Sequence, residues 1–414
     1  MKILLTSATI IDASSSHHLT TQDILIENGQ ILKIGNLADL PADKIMSGLY
    51  VSQGWFDSSV SFGEPGYEER ETLENGLRTS ALSGFTTVAV NPNTNPVADS
   101  HADIAFIKAQ SKEHGVTLLP IGALTTGSQG EALAELYDMQ KAGAIAFGDY
   151  KKSISNANLV KIALQYAQNF DGLVLSFPND SKIAGKGIVN EHISSTKLGL
   201  KGIPALAEVL HVARELTILE YTGGKLHIPT ISTSESIALI SNAKAKGLDV
   251  SCSVAISNLF FDDEMLDGFD SHYKLMPPLR NKEQVAALRA AVLDGTIDMV
   301  TSDHNPLNIE LKQVEFDHAA YGSIGLESAF GALNSLFGTE KTIEILTAGK
   351  KRFGCEVHPI EEGNQANLTL FLPEESYTFS EKDIHSTSLN SIFLGHTLKG
   401  KAQGIIAKNQ LIIQ

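Results

Sequence analysis

Between Trp55 and Asn305 the chain repeats one pattern eight times: a short apolar run, then a longer stretch with helical spacing. The runs are GWFDSSV, FTTVAVNPN, VTLLPIGAL, GAIAFGD, GLVLSFP, KLHIPTIS, LDVSCSVAI and IDMVTSDHN. The stretches between them include ENGLRTSALSG, HADIAFIKAQSKEHG, QGEALAELYDMQKAG, ANLVKIALQYAQNF and NKEQVAALRAAVLDG. They carry apolar residues at i, i+3 and i+4 and mostly end in glycine, as amphipathic helices do. Strands alternating with helices build βαβ units and a parallel sheet. Eight such units within roughly 300 residues predict a (β/α)8 barrel, with a doubly wound open sheet as the alternative.

The two ends of the chain read differently. KILLTSATIIDA and DILIENGQILKIG are β-type runs, and Asn28-Gly29 inside the second is a tight-hairpin signal. ANLTLFLP and GIIAKNQLIIQ return to β-type runs near the carboxyl terminus. Each end is too short to hold a core alone, so together they predict one satellite sheet. The expected organisation is satellite over residues 1–52, barrel over 53–355 and satellite again over 356–414.

Charge narrows the partners. Across 414 residues, 48 acids against 32 bases leave a formal charge of −16, a field that repels phosphate backbones and anionic membranes. Neither nucleic acid nor a membrane is expected as a partner. The amino-terminal apolar run is broken by Thr6, Ser7 and Asp12, and no apolar stretch approaches the roughly 18 to 20 residues of a spanning helix. The two cysteines, Cys252 and Cys355, lie far apart without metal or redox spacing, so a reducing cytoplasm is the expected location.

Barrel active sites sit at the carboxyl ends of the strands. In this chain those ends carry Asp57, Ser59, Ser61, Asn93, Asp149, Ser176, Thr230, Ser257, Asp303 and His304. Serines there would be candidate nucleophiles, yet no G-x-S-x-G elbow surrounds them and no motif places a histidine beside them. Asn93 in the PNT turn fits ordinary turn chemistry, where Asn and Pro are favoured. His211 and His227 fall within helical and strand patterns and read as core groups.

Several long strings resemble the dihydroorotases of the amidohydrolase superfamily, in the form found in multifunctional pyrimidine complexes. They are EPGYEERETLENGLRTSALSGFTTVAVNPNTNP, GKGIVNEH, LGLKGIPALAEVLHVARELTILEYTGGKLHI, STSESIALISNAKAKGLDVS, KLMPPLRNKEQVAALRAAVLDGTIDMVTSDHNP and YGSIGLE. The resemblance implies an amidohydrolase-type barrel and, in the family, zinc held by histidines. In that family the first strand carries D-x-H-x-H-x-R, two imidazoles for zinc and an arginine for the substrate carboxylate. Here Asp57 stands, while those positions are Ser59, Ser61 and Gly63. The third and fourth family histidines align with Ser176 and Thr230. A second histidine of the strand-eight motif is Leu307, and the asparagine of the N-P-P-L-R motif is Met276.

Neutral alcohols are poor donors to a divalent ion and do not ionise near pH 7. Four such changes leave only Asp303 and Asp149 as residual carboxylates, so no metal site and no cofactor are expected. Asp303, the family's acid–base position, then has no metal-bound water to serve. Of the substrate contacts only Asn93 is retained. The expected function is a dihydroorotase-like pseudoenzyme of pyrimidine biosynthesis, a homo-oligomer such as a dimer, with aspartate transcarbamoylase as the partner the resemblance implies. The alternative is an active dihydroorotase, or a related cyclic amidohydrolase, working with a non-standard or metal-independent site.

Overall fold

The computed structural model describes residues 1–37 and 40–414. Its centre is one parallel sheet of eight strands: Trp55–Val60, Phe85–Val90, Thr117–Gly122, Ala146–Phe147, Leu173–Leu175, Lys225–Ile228, Val250–Ala255 and Met299–Thr301. These are barrel strands 1 to 8. Each pairs with the next in sequence, so the order has no switch point, and this removes the doubly wound alternative. The first and last strands meet through the Ser61 amide, which donates to the His304 carbonyl at 2.7 Å. All eight apolar runs are strands of this nearly closed (β/α)8 barrel.

Local chemistry explains the helices. Leu73–Leu82 starts on Thr72, whose side chain accepts from the Asn75 amide, and His101–Gln110 starts on a capping box of Ser100 and Asp103. One helix is shorter than its pattern. Within QGEALAELYDMQKAG only Leu136–Ala142 is helical, because the preceding residues fold back and bond to the loop after strand 3, Thr126 N to Ala132 O and Ala134 N to Leu124 O. Tertiary pairing outweighs propensity there.

The satellite is a second sheet with strands from both chain ends. Tyr50–Gln53 pairs in parallel with Lys2–Ile11 and antiparallel with Leu368–Thr378, which joins the amino-terminal strands to Thr397–Ala407 and Gln410–Ile413. Asn28 and Gly29 take φ of 51° and 79°, the left-handed pair that a two-residue hairpin turn between Thr21–Glu27 and Gln30–Gly35 needs. Trp55 locks satellite to barrel: it stacks on Phe330 at 4.8 Å and meets Phe371 of the satellite at 5.7 Å. Inside the barrel Phe56, Ala89, Ile121, Ala146, Leu173, Leu175, Met299 and Phe353 pack into a core, so the interior is filled. Among the described residues, no helix is long and apolar enough to cross a membrane.

Candidate functional site

At the carboxyl ends of the strands lies a small cavity lined by Ser58, Ser59, Asn91, Ile121, Asp149, Tyr150, Lys151, Phe177, His227, Thr230, Ser253 and Asp303. Its free interior is about 20 Å³, close to the volume that one water occupies. Small-molecule sites are usually several hundred cubic ångströms. The space left free between these side chains is small by comparison.

Asp303 is the centre of the cavity. Its Oδ1 accepts from the Tyr150 hydroxyl at 3.1 Å and from Ser59 Oγ at 3.5 Å. Lys151 Nζ sits 2.7 Å from its Oδ2, within ion-pair distance though off the direction of a hydrogen bond. Burial pushes the Asp303 carboxyl upward, and the Lys151 ammonium pulls it back down. Tyr150 is held well above the usual phenol range by burial and by the Asp303 charge. Tyr150 and Lys151 were not among the residues the sequence pattern singled out. The signal available was position alone: they follow Asp149 directly, just beyond barrel strand 4.

The remaining expected residues divide into two groups. Ser59 and Thr230 line the cavity with Asp303, and Ser61 is one bond away, since Asn91 Nδ2 donates to Ser59 Oγ at 3.1 Å and to Ser61 Oγ at 3.3 Å. Asn91 is a third residue that sequence reasoning passed over, two positions before Asn93. Asn93 itself does not line the cavity, and its buried Oδ1 has no hydrogen-bond partner among the described residues.

Ser176 turns away. Its hydroxyl meets His211 Nε2 at 3.4 Å, on the helix Ala205–Thr222. Glu215 also approaches His211 at Nε2, at 3.2 Å, so serine and acid compete for one ring nitrogen. A nucleophile–base–acid relay needs them on opposite nitrogens, so no such relay exists here. Asp149 lines the cavity but is bonded behind it: its Oδ1 accepts from the Leu124 and Thr125 amides at 3.0 and 3.1 Å, and its Oδ2 from the Thr125 hydroxyl. Both of its oxygens are therefore committed to the loop after strand 3, and it does not face Asp303 as a second ligand carboxylate.

His227 forms the floor. Its ring nitrogens meet Ser251 Oγ at 2.9 Å and Ser253 Oγ at 3.2 Å, and burial, helped by Arg352 and Lys244, pushes it down to about 3. It is a neutral core imidazole. His304 is likewise neutral: its Nδ1 accepts from the Gly325 amide at 3.1 Å, and burial lowers it to about 4. Asp57 is enclosed, accepting from the Ser59 and Ser302 amides at 3.0 and 2.8 Å and from the Thr301 hydroxyl.

The donor set does not suit a zinc ion. Among the described residues, no three His, Cys, Asp or Glu side chains converge closely enough to hold a metal. Both Asp149 and Asp303 line the cavity, but Asp149 is bonded to Leu124 and Thr125, and an ammonium already sits against Asp303. The position of the family's substrate arginine is closed as well, since a Cβ on Gly63 would fall 1.9 Å from the Tyr67 carbonyl oxygen.

The resembling strings meet elsewhere, in a buried polar network outside the mouth. Glu208, from GIPALAE, accepts from the Ser232 amide at 2.9 Å and from the Thr233 amide and hydroxyl at 3.0 and 2.8 Å. Arg280, from PPLR, donates to Ser232 Oγ at 3.0 Å, to Asn190 Oδ1 of GIVNEH at 2.8 Å and to the Ile203 carbonyl at 3.0 Å. Glu208 and Arg280 stand 3.9 Å apart. Four sequence-distant strings are joined there by structure, not by chemistry.

Comparison with known proteins follows the same lines. A family model described as dihydro-orotase-like matches residues 49–236. The dihydroorotase of Pelotomaculum thermopropionicum is 38% identical over 423 residues, covering 100% of this chain and 99% of that protein. The dihydroorotase of Pelobacter propionicus is 35% identical over 424 residues, with 100% and 99% covered. Among solved structures, the L-hydantoinase (dihydropyrimidinase) of Arthrobacter aurescens superposes with a TM-score of 0.86 at 19% identity, covering 100% of this chain and 96% of that one. The dihydropyrimidinase of Brevibacillus agri superposes at 0.83, also at 19% identity, with 100% and 95% covered. At that identity the likeness speaks for the fold alone.

Proposed function

The chain belongs to the dihydroorotase family, and we propose that it is a member that no longer binds zinc or hydrolyses a cyclic amide, kept as a folded partner in pyrimidine biosynthesis. The observation that carries this reading is the Lys151 ammonium 2.7 Å from Asp303, the lining carboxylate that backbone amides do not already hold. Hydroxyls stand at Ser59, Ser61, Ser176 and Thr230, where the resemblance puts imidazoles, and alcohols hold divalent ions weakly. The free interior is about 20 Å³, small beside the several hundred cubic ångströms usual for a ligand site. The partner proposed is aspartate transcarbamoylase, with the chain in a supporting, non-catalytic role in the cytoplasm.

The test is metal content together with turnover. Protein purified after growth with added zinc is expected to carry well under one zinc per chain, and to show no interconversion of dihydroorotate and N-carbamoyl-aspartate above buffer. One or two zinc ions per chain with measurable turnover would restore the alternative of an active cyclic amidohydrolase. The partner is tested by capture of the full chain from its own cells, followed by mass spectrometry of the associated proteins. Absence of transcarbamoylase subunits from that capture would remove the partner assignment.

A further inference from the structure

Lys151 and Asp303 come from opposite sides of the barrel mouth, beyond strand 4 and strand 8, and their side chains are only 11% and 10% exposed. The carboxylate is solvated asymmetrically. One oxygen takes the Tyr150 and Ser59 hydroxyls, and the other faces the ammonium. Neither hydroxyl supplies charge, and a buried carboxylate without a cation is costly. Asp303 also holds φ of +51°, a conformation that a non-glycine residue keeps only when its surroundings hold it there.

We propose that Lys151 is a tethered cation that takes the place of a bound metal ion, so that Asp303, held through its other oxygen by Ser59 and Tyr150, is an anionic site for a primary ammonium already filled by the chain itself. This deepens the reading of the mouth as metal-free and rests on it. Lys151 itself lines the cavity, and its head neutralises the carboxylate without any ion from solvent. Closure of the mouth and balance of its charge are therefore one contact. The cation this site is expected to prefer is a primary ammonium, a compact point charge where a guanidinium is a planar fork.

Two experiments test this on the full chain. The first is a double-mutant cycle in thermal unfolding with Lys151→Met and Asp303→Asn. Removing the cation alone is expected to lower Tm by about 5 °C, as loss of one partner from a buried pair does in a chain of this length. The double variant should recover at least half of that loss, since it leaves no buried charge unpaired. Should Lys151→Met fail to fold, the double variant is still expected to fold, and its failure would refute the proposal. So would additive shifts.

The second experiment is chemical rescue of Lys151→Ala. Ethylammonium is expected to raise the Tm of this variant by several degrees more than that of the wild type, while tetramethylammonium raises neither. Rescue should vanish in Lys151→Ala with Asp303→Asn. Equal responses to the two ions would overturn the assignment of an ammonium site. Zinc and turnover are measured on the wild type, so the two failures are distinguishable: zinc with turnover removes the function reading, and an additive cycle without zinc removes this one.

Discussion

His227 offers a quantitative test of how dry the mouth is. It is buried between Ser251 and Ser253 and lowered from 6.5 to about 3 by burial, Arg352 and Lys244. For a base lowered on folding, stability is fully present above the unfolded value and is lost as pH falls toward the folded one. The window therefore runs from about 6.5 down to about 3. At about pH 5.5 the folded imidazole is still neutral, while the unfolded one lies a full unit below its pKa. One unit is worth about 1.4 kcal/mol, so this group alone removes about 1.3 kcal/mol of stability between about pH 7 and 5.5.

Buried carboxyls such as Asp57 and Asp303, both raised by burial, act in the opposite direction over part of that range. Their contribution cancels in a comparison of the wild type with His227→Asn, which keeps a hydrogen-bonding group toward Ser251 and removes the titration. Urea unfolding can be followed through the single tryptophan, Trp55, which is fully buried. The cost of the substitution should be about 1.3 kcal/mol smaller at about pH 5.5 than at about pH 7. A cost that is the same at both pH values, within about 0.5 kcal/mol, would mean that the imidazole is solvated and the floor of the barrel wet.

Three further outcomes are expected. Thr230 is a β-branched residue at φ of +51°, so Thr230→Asn, which tolerates the left-handed region, should add about 1 kcal/mol in chemical denaturation; no gain would mean the backbone there is unstrained. Glu208→Ala removes the acceptor for Ser232 and Thr233 and the counter-charge of buried Arg280, and should cost about 3 to 5 kcal/mol; a loss under about 1 kcal/mol would contradict the network. Gly63→Ala forces a Cβ onto the Tyr67 carbonyl and should cost about 1 to 3 kcal/mol by the same assay; a neutral result would show that the loop can open for a larger side chain.

The eight barrel strands, the Asn28-Gly29 hairpin and the joining of both ends in one sheet were all legible in the sequence. Each follows from a local code, alternation of periods or a turn dipeptide, that needs no knowledge of distant residues. The hydroxyls at Ser59, Ser61, Ser176 and Thr230 were legible for the same reason: which residue stands at a strand end is a one-dimensional fact. Direction was not. Ser59 and Ser176 occupy equivalent-looking strand ends, yet one faces Asp303 and the other faces His211, because the exit angle of each strand is set by what packs on it.

Asp149 and Asp303 likewise look alike in sequence, and only the fold commits one to the Leu124 and Thr125 amides and the other to Lys151. The lysine that closes the mouth is the clearest case. Its pairing spans more than 150 positions, and the gain from burying that contact depends on a low-dielectric enclosure built by eight strands together. Composition and order settled what the chain could build. Three-dimensional closure alone decided which charges would have to meet inside it.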